Sequence, residues 1–111
     1  MPTLFTKIIS GDIPAEIVYQ DSRVFAFKDI NPQAPVHILI VPREEVAGVS
    51  ELPEIGDHMY LLNAAKKIAH EFGLDETGYR LVINQGEDGG QSVPHLHVHL
   101  LGGRKLDWPP G

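Results

Sequence analysis

The stretch His95-Leu96-His97-Val98-His99-Leu100-Leu101 decides how this chain is read. Successive side chains on a β-strand point to opposite faces. Histidines at alternate positions therefore share one face, while Leu96, Val98 and Leu100 enter a core on the other. Three of the chain's six histidines fall within five residues. Serine or threonine would solvate a strand face more simply, so this row points to chemistry. The strand is expected over residues 93–101.

Working outward, Gly86 to Ser92 form a glycine-rich loop, and Arg80 to Asn84 a preceding strand. The one long helix is expected between Glu54 and Phe72. Its apolar stripe would be Ile55, Met59, Leu62, Ala65, Ala69 and Phe72, at spacings of three and four, with Gly73 as C-cap. Further back, His37 to Val41 form a strand stopped by Pro42. Asn31-Pro32-Gln33-Ala34-Pro35 is a loop, because two prolines break any ladder. Val18 to Gln20 and Val24 to Lys28 flank Asp21-Ser22-Arg23 and read as a hairpin. Strands joined by short connections, with one long helix packed on them, make an α+β domain on a mainly antiparallel sheet. At 111 residues the chain fits a single domain, residues 1–111.

Two chemistries suit the histidine row. The first is a metal site. The outer histidines would sit about 13.6 Å apart at ~3.4 Å per residue. With a metal bond of ~2.0 to 2.1 Å, their combined reach falls just short on a straight strand. A two-histidine site completed by His37 or an acid stays open. The second is attack on a phosphate. A histidine with an unperturbed pKa near ~6.5 is a neutral nucleophile at pH 7, and a neighbour can donate to developing negative charge. One row thus holds an orienter, an attacker and a donor, and His37 can complete the set. Gly89-Gly90-Gln91-Ser92 precedes the row. Glycine lets backbone N–H groups approach an anion, and Ser92 adds a hydroxyl. The Gly-Lys-Ser/Thr signature of a P-loop is absent.

Composition narrows the class. There are no cysteines, which excludes disulfides, thiolate catalysis and cysteine-ligated zinc and suits a reducing compartment. A net charge of -6 is wrong for wrapping a nucleic-acid backbone, although local donors suffice for one phosphate. Apolar runs are far shorter than the roughly 18 to 20 residues that span a bilayer. Met1-Pro2-Thr3-Leu4-Phe5 lacks the basic and apolar segments of a secretion signal. The expected location is the cytoplasm, with no membrane or nucleic-acid partner.

Several separated motifs carry a resemblance. His95 to Leu101 matches the His-φ-His-φ-His-φ-φ signature (φ apolar) of the histidine triad superfamily. Phe5 to Ile9 with Ile13-Pro14-Ala15, Asp29 to Pro35, Asp88 to Val93, and Leu101 to Arg104 with Trp108 to Gly111 resemble its nucleotide-binding, nucleoside phosphoramidase branch. That resemblance implies a five-stranded antiparallel sheet with one long and one or more short helices, paired in a homodimer into ten strands. It implies a purine nucleoside monophosphate or phosphoramidate as ligand, adenosine or guanosine, including nucleotidyl-lysine. His97 would attack the α-phosphorus. His99 would lie beside the phosphate and leaving group, and His95 would pair with His37 to orient His97. Asp29 would hold the ribose, and Leu4, Phe5, Ile8, Ile13 and Phe27 would form the base pocket. Asn84, Gly90 and Ser92 would face the phosphate, with Ser92 also able to pass a proton. Trp108 would reach the partner's site. No metal or other cofactor is implied.

Pro94 is a departure, since some members have an aromatic there. The alternatives are a dinucleoside polyphosphate hydrolase of the same superfamily and a nucleotide-binding regulatory protein. The former branch follows the triad with proline and a basic residue, unlike Leu101-Gly102-Gly103 here.

Overall fold

The computed structural model describes residues 2–111; Met1, at the head of the N-terminal stretch read above, lies outside them. The elements run α1 (Leu4–Ser10), β1 (Ile17–Gln20), β2 (Val24–Lys28), β3 (Val36–Pro42), a 3-10 turn (Val49–Glu51), α2 (His58–Glu71), α3 (Leu74–Thr77), β4 (Tyr79–Val82) and β5 (Val98–Gly102). The five strands form one sheet in the order β1-β2-β3-β5-β4, antiparallel at every pairing. The α+β architecture is therefore as expected. No helix among the described residues is long and apolar enough to cross a membrane.

Strand alternation gives the sheet two different faces. Val24, Ala26, Ile38, Ile40, Val98 and Leu100 meet Leu61, Ala64, Ala65, Ile68 and Ala69 of α2. Phe25, Phe27, Leu39 and Val41 meet Phe5 and Ile8 of α1. The second face also carries His99, which lies opposite Leu39 in the β3–β5 ladder.

α1 was not read from the residues, yet its start is written in them. Thr3 and Thr6 cap each other: the Thr6 N–H donates to Thr3 Oγ1 at 3.2 Å, and the Thr3 N–H to Thr6 Oγ1 at 2.6 Å. This is the reciprocal capping arrangement. Gly11 ends the helix at φ 87°, where a side chain would be strained. Phe5 and Ile8, three residues apart, then share the face turned to the sheet.

Two expectations need correction. α2 begins at His58, and its buried positions are Leu61, Ala64, Ala65, Ile68 and Ala69. Of the expected stripe, Ala65 and Ala69 are buried, whereas Ile55, Met59, Leu62 and Phe72 are exposed. Both sets satisfy helical spacing. The sheet takes the face with three alanines, against which the backbones can approach closely. The last strand begins at Val98, not at residue 93. The His95 N–H turns back to the Val93 carbonyl at 2.8 Å, and the Leu96 N–H goes to the Val46 carbonyl at 2.7 Å. Pro94 has no N–H to give, so the chain bends before it enters the ladder.

Candidate active site

A cleft of about 220 Å³ opens between α1 and the second face of the sheet. Leu4, Phe5, Ile8, Ile13, Phe27 and Leu39 supply its apolar wall; Asp29, Ser92, His97 and His99 supply its polar end. An apolar slot ending in a few convergent polar groups is the usual form of a small-molecule site. Phe5 ties wall to polar end, its ring meeting His97 edge-on at 4.9 Å between centroids.

The histidines divide into two systems. His95 is fully buried. Its Nε2 lies 3.0 Å from the Pro42 carbonyl. A carbonyl only accepts, so this nitrogen carries hydrogen. Its Nδ1 lies 3.0 Å from Thr3 Oγ1, which donates to it. His97 Nδ1 lies 2.8 Å from the His95 carbonyl and must be the protonated nitrogen. The lone pair of His97 is thereby placed on Nε2. Burial pushes the His97 pKa below its ordinary value; the hydrogen bond to the His95 carbonyl opposes the shift, and the His95 ring adds to it. The ring is neutral at pH 7, as a nucleophile requires.

The second system begins in the proline loop. The Gln33 N–H donates to His37 Nδ1 at 3.0 Å, so that nitrogen is an acceptor and the ring hydrogen sits on Nε2. His37 Nε2 then donates to His99 Nδ1 at 2.9 Å. His99 in turn carries its hydrogen on Nε2. Burial pushes the His99 pKa down to about 4, helped by the neighbouring His97 and His37 rings and opposed by Asp29. Burial also lowers His37, against the pull of Asp29. With His37 neutral, its 3.5 Å approach to Asp29 Oδ2 is a long contact rather than a salt bridge. The other Asp29 oxygen accepts from the Asn31 N–H at 2.8 Å.

The anticipated His95–His37 pair is thus replaced by His99–His37. The register explains it. His37 lies opposite Leu101 and His99 opposite Leu39, which makes the two histidines diagonal neighbours on one face. His95, outside the ladder, drops inward beneath Pro42. It supports His97 through its backbone carbonyl.

Besides His37 and His95, which support the cleft's histidines without lining it, three expected residues lie apart from the cleft. Gly90 sits at φ 79° in the loop, and its N–H is used by the Glu87 carbonyl at 2.9 Å. Asn84 is half-buried and does not line the cleft. Trp108 is 81% exposed. Conversely, Thr3, Gln33 and Val93 belong to the site or its support and were missed. The Thr3-x-x-Thr6 spacing before an apolar pair was a usable signal for the first. Nothing in sequence marked a backbone amide of Gln33.

A family model described as the HIT domain matches residues 10–106. The chain belongs to the HIT family. Relatives at this level of similarity include a 14 kDa zinc-binding protein of Zea mays, 53% identical over 99% of this chain and 88% of its own length. The adenylylsulfatase HINT1 of Arabidopsis thaliana is 52% identical over 99% of this chain and 77% of its own length. Among solved structures, a HIT family hydrolase from Legionella pneumophila superposes with a TM-score of 0.92 at 49% identity, covering 99% of this chain and 100% of that one. These likenesses place the chain in the Hint branch of the HIT superfamily.

The maize relative's name raises zinc. Asp29, His37 and His99 each offer a ligand atom, all within 4.8 Å of one another. A zinc ligand must present a lone pair. His37 Nε2 carries the hydrogen, because Nδ1 is occupied by the Gln33 N–H. In this hydrogen-bonded state the set does not fit a zinc ion.

Proposed function

We propose that this HIT family member is a purine nucleoside phosphoramidase, cleaving the P–N bond of nucleoside 5′-phosphoramidates of adenosine or guanosine, nucleotidyl-lysine among them. The observation that carries the proposal is the His97 tautomer: Nδ1 tied to the His95 carbonyl at 2.8 Å, leaving the Nε2 lone pair on a ring that lines the cleft. The base lies along Phe5, Ile8, Ile13 and Phe27, with Leu4 at the rim. Asp29 receives the ribose hydroxyls, and the phosphate meets Ser92, His97 and His99.

His97 Nε2 attacks the α-phosphorus, and the P–N bond breaks. The departing amine takes a proton from solvent while His99 Nε2–H hydrogen-bonds its nitrogen, so His99 stays neutral. The phosphorylated His97 ring, whose centroid lies 4.9 Å from that of His99, carries one positive charge, and the His37 Nε2–H continues to support His99. Water then attacks phosphorus, loses a proton to solvent and releases neutral His97. The balance is phosphoramidate plus water to nucleoside monophosphate plus amine, with no metal or other cofactor.

A homodimer belongs to the same reading. β4 is a free sheet edge, and Tyr79 and Ile83, at and beside it, are exposed. Met59, Leu62 and Phe72 of α2 and its C-cap are exposed as well. Pairing β4 edges makes the ten-stranded sheet, and Trp108 reaches the partner's site. The working location is the cytoplasm.

The test is turnover of an adenosine phosphoramidate beside a diadenosine polyphosphate. Faster cleavage of the phosphoramidate is expected. Preference for the polyphosphate would favour the other branch, and tight nucleotide binding without turnover of either a regulatory role.

A further inference from the structure

The donor half of the site depends on one backbone amide. If the Gln33 N–H moved away, His37 could carry its hydrogen on Nδ1. Its Nε2 would then accept from His99 Nδ1–H, and His99 Nε2 would present a lone pair to the leaving group in place of a proton. Holding Gln33 is therefore a chemical requirement as well as a structural one.

Arg104 holds it. Its Nη2 donates to the Gln33 carbonyl at 2.9 Å and its Nε to the same oxygen at 3.3 Å. Nη1 donates to the Lys105 carbonyl at 3.1 Å. No carboxylate pairs with this guanidinium among the described residues, so its donors serve backbone oxygens. A second contact acts beside it. Gly103 lies so close to Pro35 that a Cβ there would stand 2.8 Å from the proline ring. The ladder explains the meeting: Val36 pairs with Gly102, so the residues after β5 run back beside the residues before β3. The strands that carry His99 and His37 thus extend into the clamp that sets their protons.

We propose that Arg104 is a positioning residue for the His37–His99 pair, acting through Gln33 of the proline loop. Arg104 touches neither histidine. It holds the Gln33 carbonyl, in the peptide unit just after the one whose N–H makes His37 an acceptor at Nδ1 and so makes His99 a donor at the leaving group. The catalytic consequence rests on the phosphoramidase reading; the tautomer consequence does not.

The experiment uses the full chain as wild type, Arg104→Ala and Arg104→Lys. Ring-nitrogen NMR of the ligand-free protein reads the tautomers directly. Wild type should show hydrogen on Nε2 of both His37 and His99. Arg104→Ala should show a mixture at both rings, and Arg104→Lys, which keeps one donor for the Gln33 carbonyl, should lie nearer wild type. Kinetics then use two adenosine 5′-phosphoryl substrates, one leaving as an alkylamine and one as p-nitrophenol. For Arg104→Ala, kcat for the amine should fall about tenfold, the scale of one lost hydrogen bond, while the nitrophenol substrate changes less than about twofold and KM holds for both. Unchanged tautomers in Arg104→Ala would overturn the proposal, even if the melting temperature dropped. An equal loss on both substrates would also overturn it. If wild type cleaved neither substrate, the function would fail and the NMR would still decide the role of Arg104.

Discussion

Replacing Thr3 by Val removes one hydroxyl and leaves the shape of the side chain unchanged. That hydroxyl accepts from the Thr6 N–H at 3.2 Å and donates to His95 Nδ1 at 3.0 Å. Losing the N-cap costs about 1 kcal/mol. Leaving a polar atom of a fully buried ring without its partner costs roughly 1–3 kcal/mol more. The two losses share one atom and need not add fully, so the expected destabilisation is about 2–4 kcal/mol. Against a total of ~5–15 kcal/mol for an ordinary domain, this is large. Thr3→Ser keeps the oxygen and should cost less than about 1 kcal/mol. Urea denaturation of the three proteins measures the difference, and hydrogen exchange of the Thr6 amide reports the cap itself. Because α1 carries Phe5 against His97, Thr3→Val should also weaken nucleotide binding. Equal stability of Thr3→Val and Thr3→Ser would refute both the cap and the buried histidine bond.

Other outcomes follow from the same geometry. His99, His97 and His37 all have pKa values lowered by burial in the fold. Stability should therefore be complete above their unfolded value near ~6.5 and fall as pH drops towards 4. From His99 alone the loss is at most roughly 3 kcal/mol, less for its partial exposure; a urea midpoint independent of pH between 7.5 and 4 would contradict it. Asp29→Asn should weaken binding of a nucleoside monophosphate about tenfold, the scale of one hydrogen bond to a charged group, and erase discrimination against 2′-deoxyribose; calorimetry on both ligands reads this. Chelators should leave phosphoramidase activity intact, and loss on chelation with recovery on zinc would contradict the tautomer argument at His37.

What sequence could show of the site follows from where strand geometry applies. Leu96, Val98 and Leu100 are buried on one face, and His99 lies on the other, as alternation alone requires. The pairing of His37 depended on register, which no pattern in one strand encodes; opposite Leu101 it reaches His99. His95 escaped the strand rule because Pro94 and the Val93 carbonyl turn the chain before β5. The helix stripe is ambiguous in sequence because α2 carries apolar residues on two faces, and the alanines decide which one meets the sheet. The apolar cleft wall of Phe5, Ile8 and Phe27 was visible through family likeness alone, since such residues otherwise read as plain core.

The central claim is that His97 Nε2 becomes bonded to phosphorus. The most direct measurement is the stereochemical course at a chiral thiophosphoramidate hydrolysed in isotopically labelled water. Attack by His97 followed by attack by water makes two in-line displacements, and the account requires net retention of configuration. Inversion would mean that water attacks directly, and the assignment of His97 as nucleophile would fall.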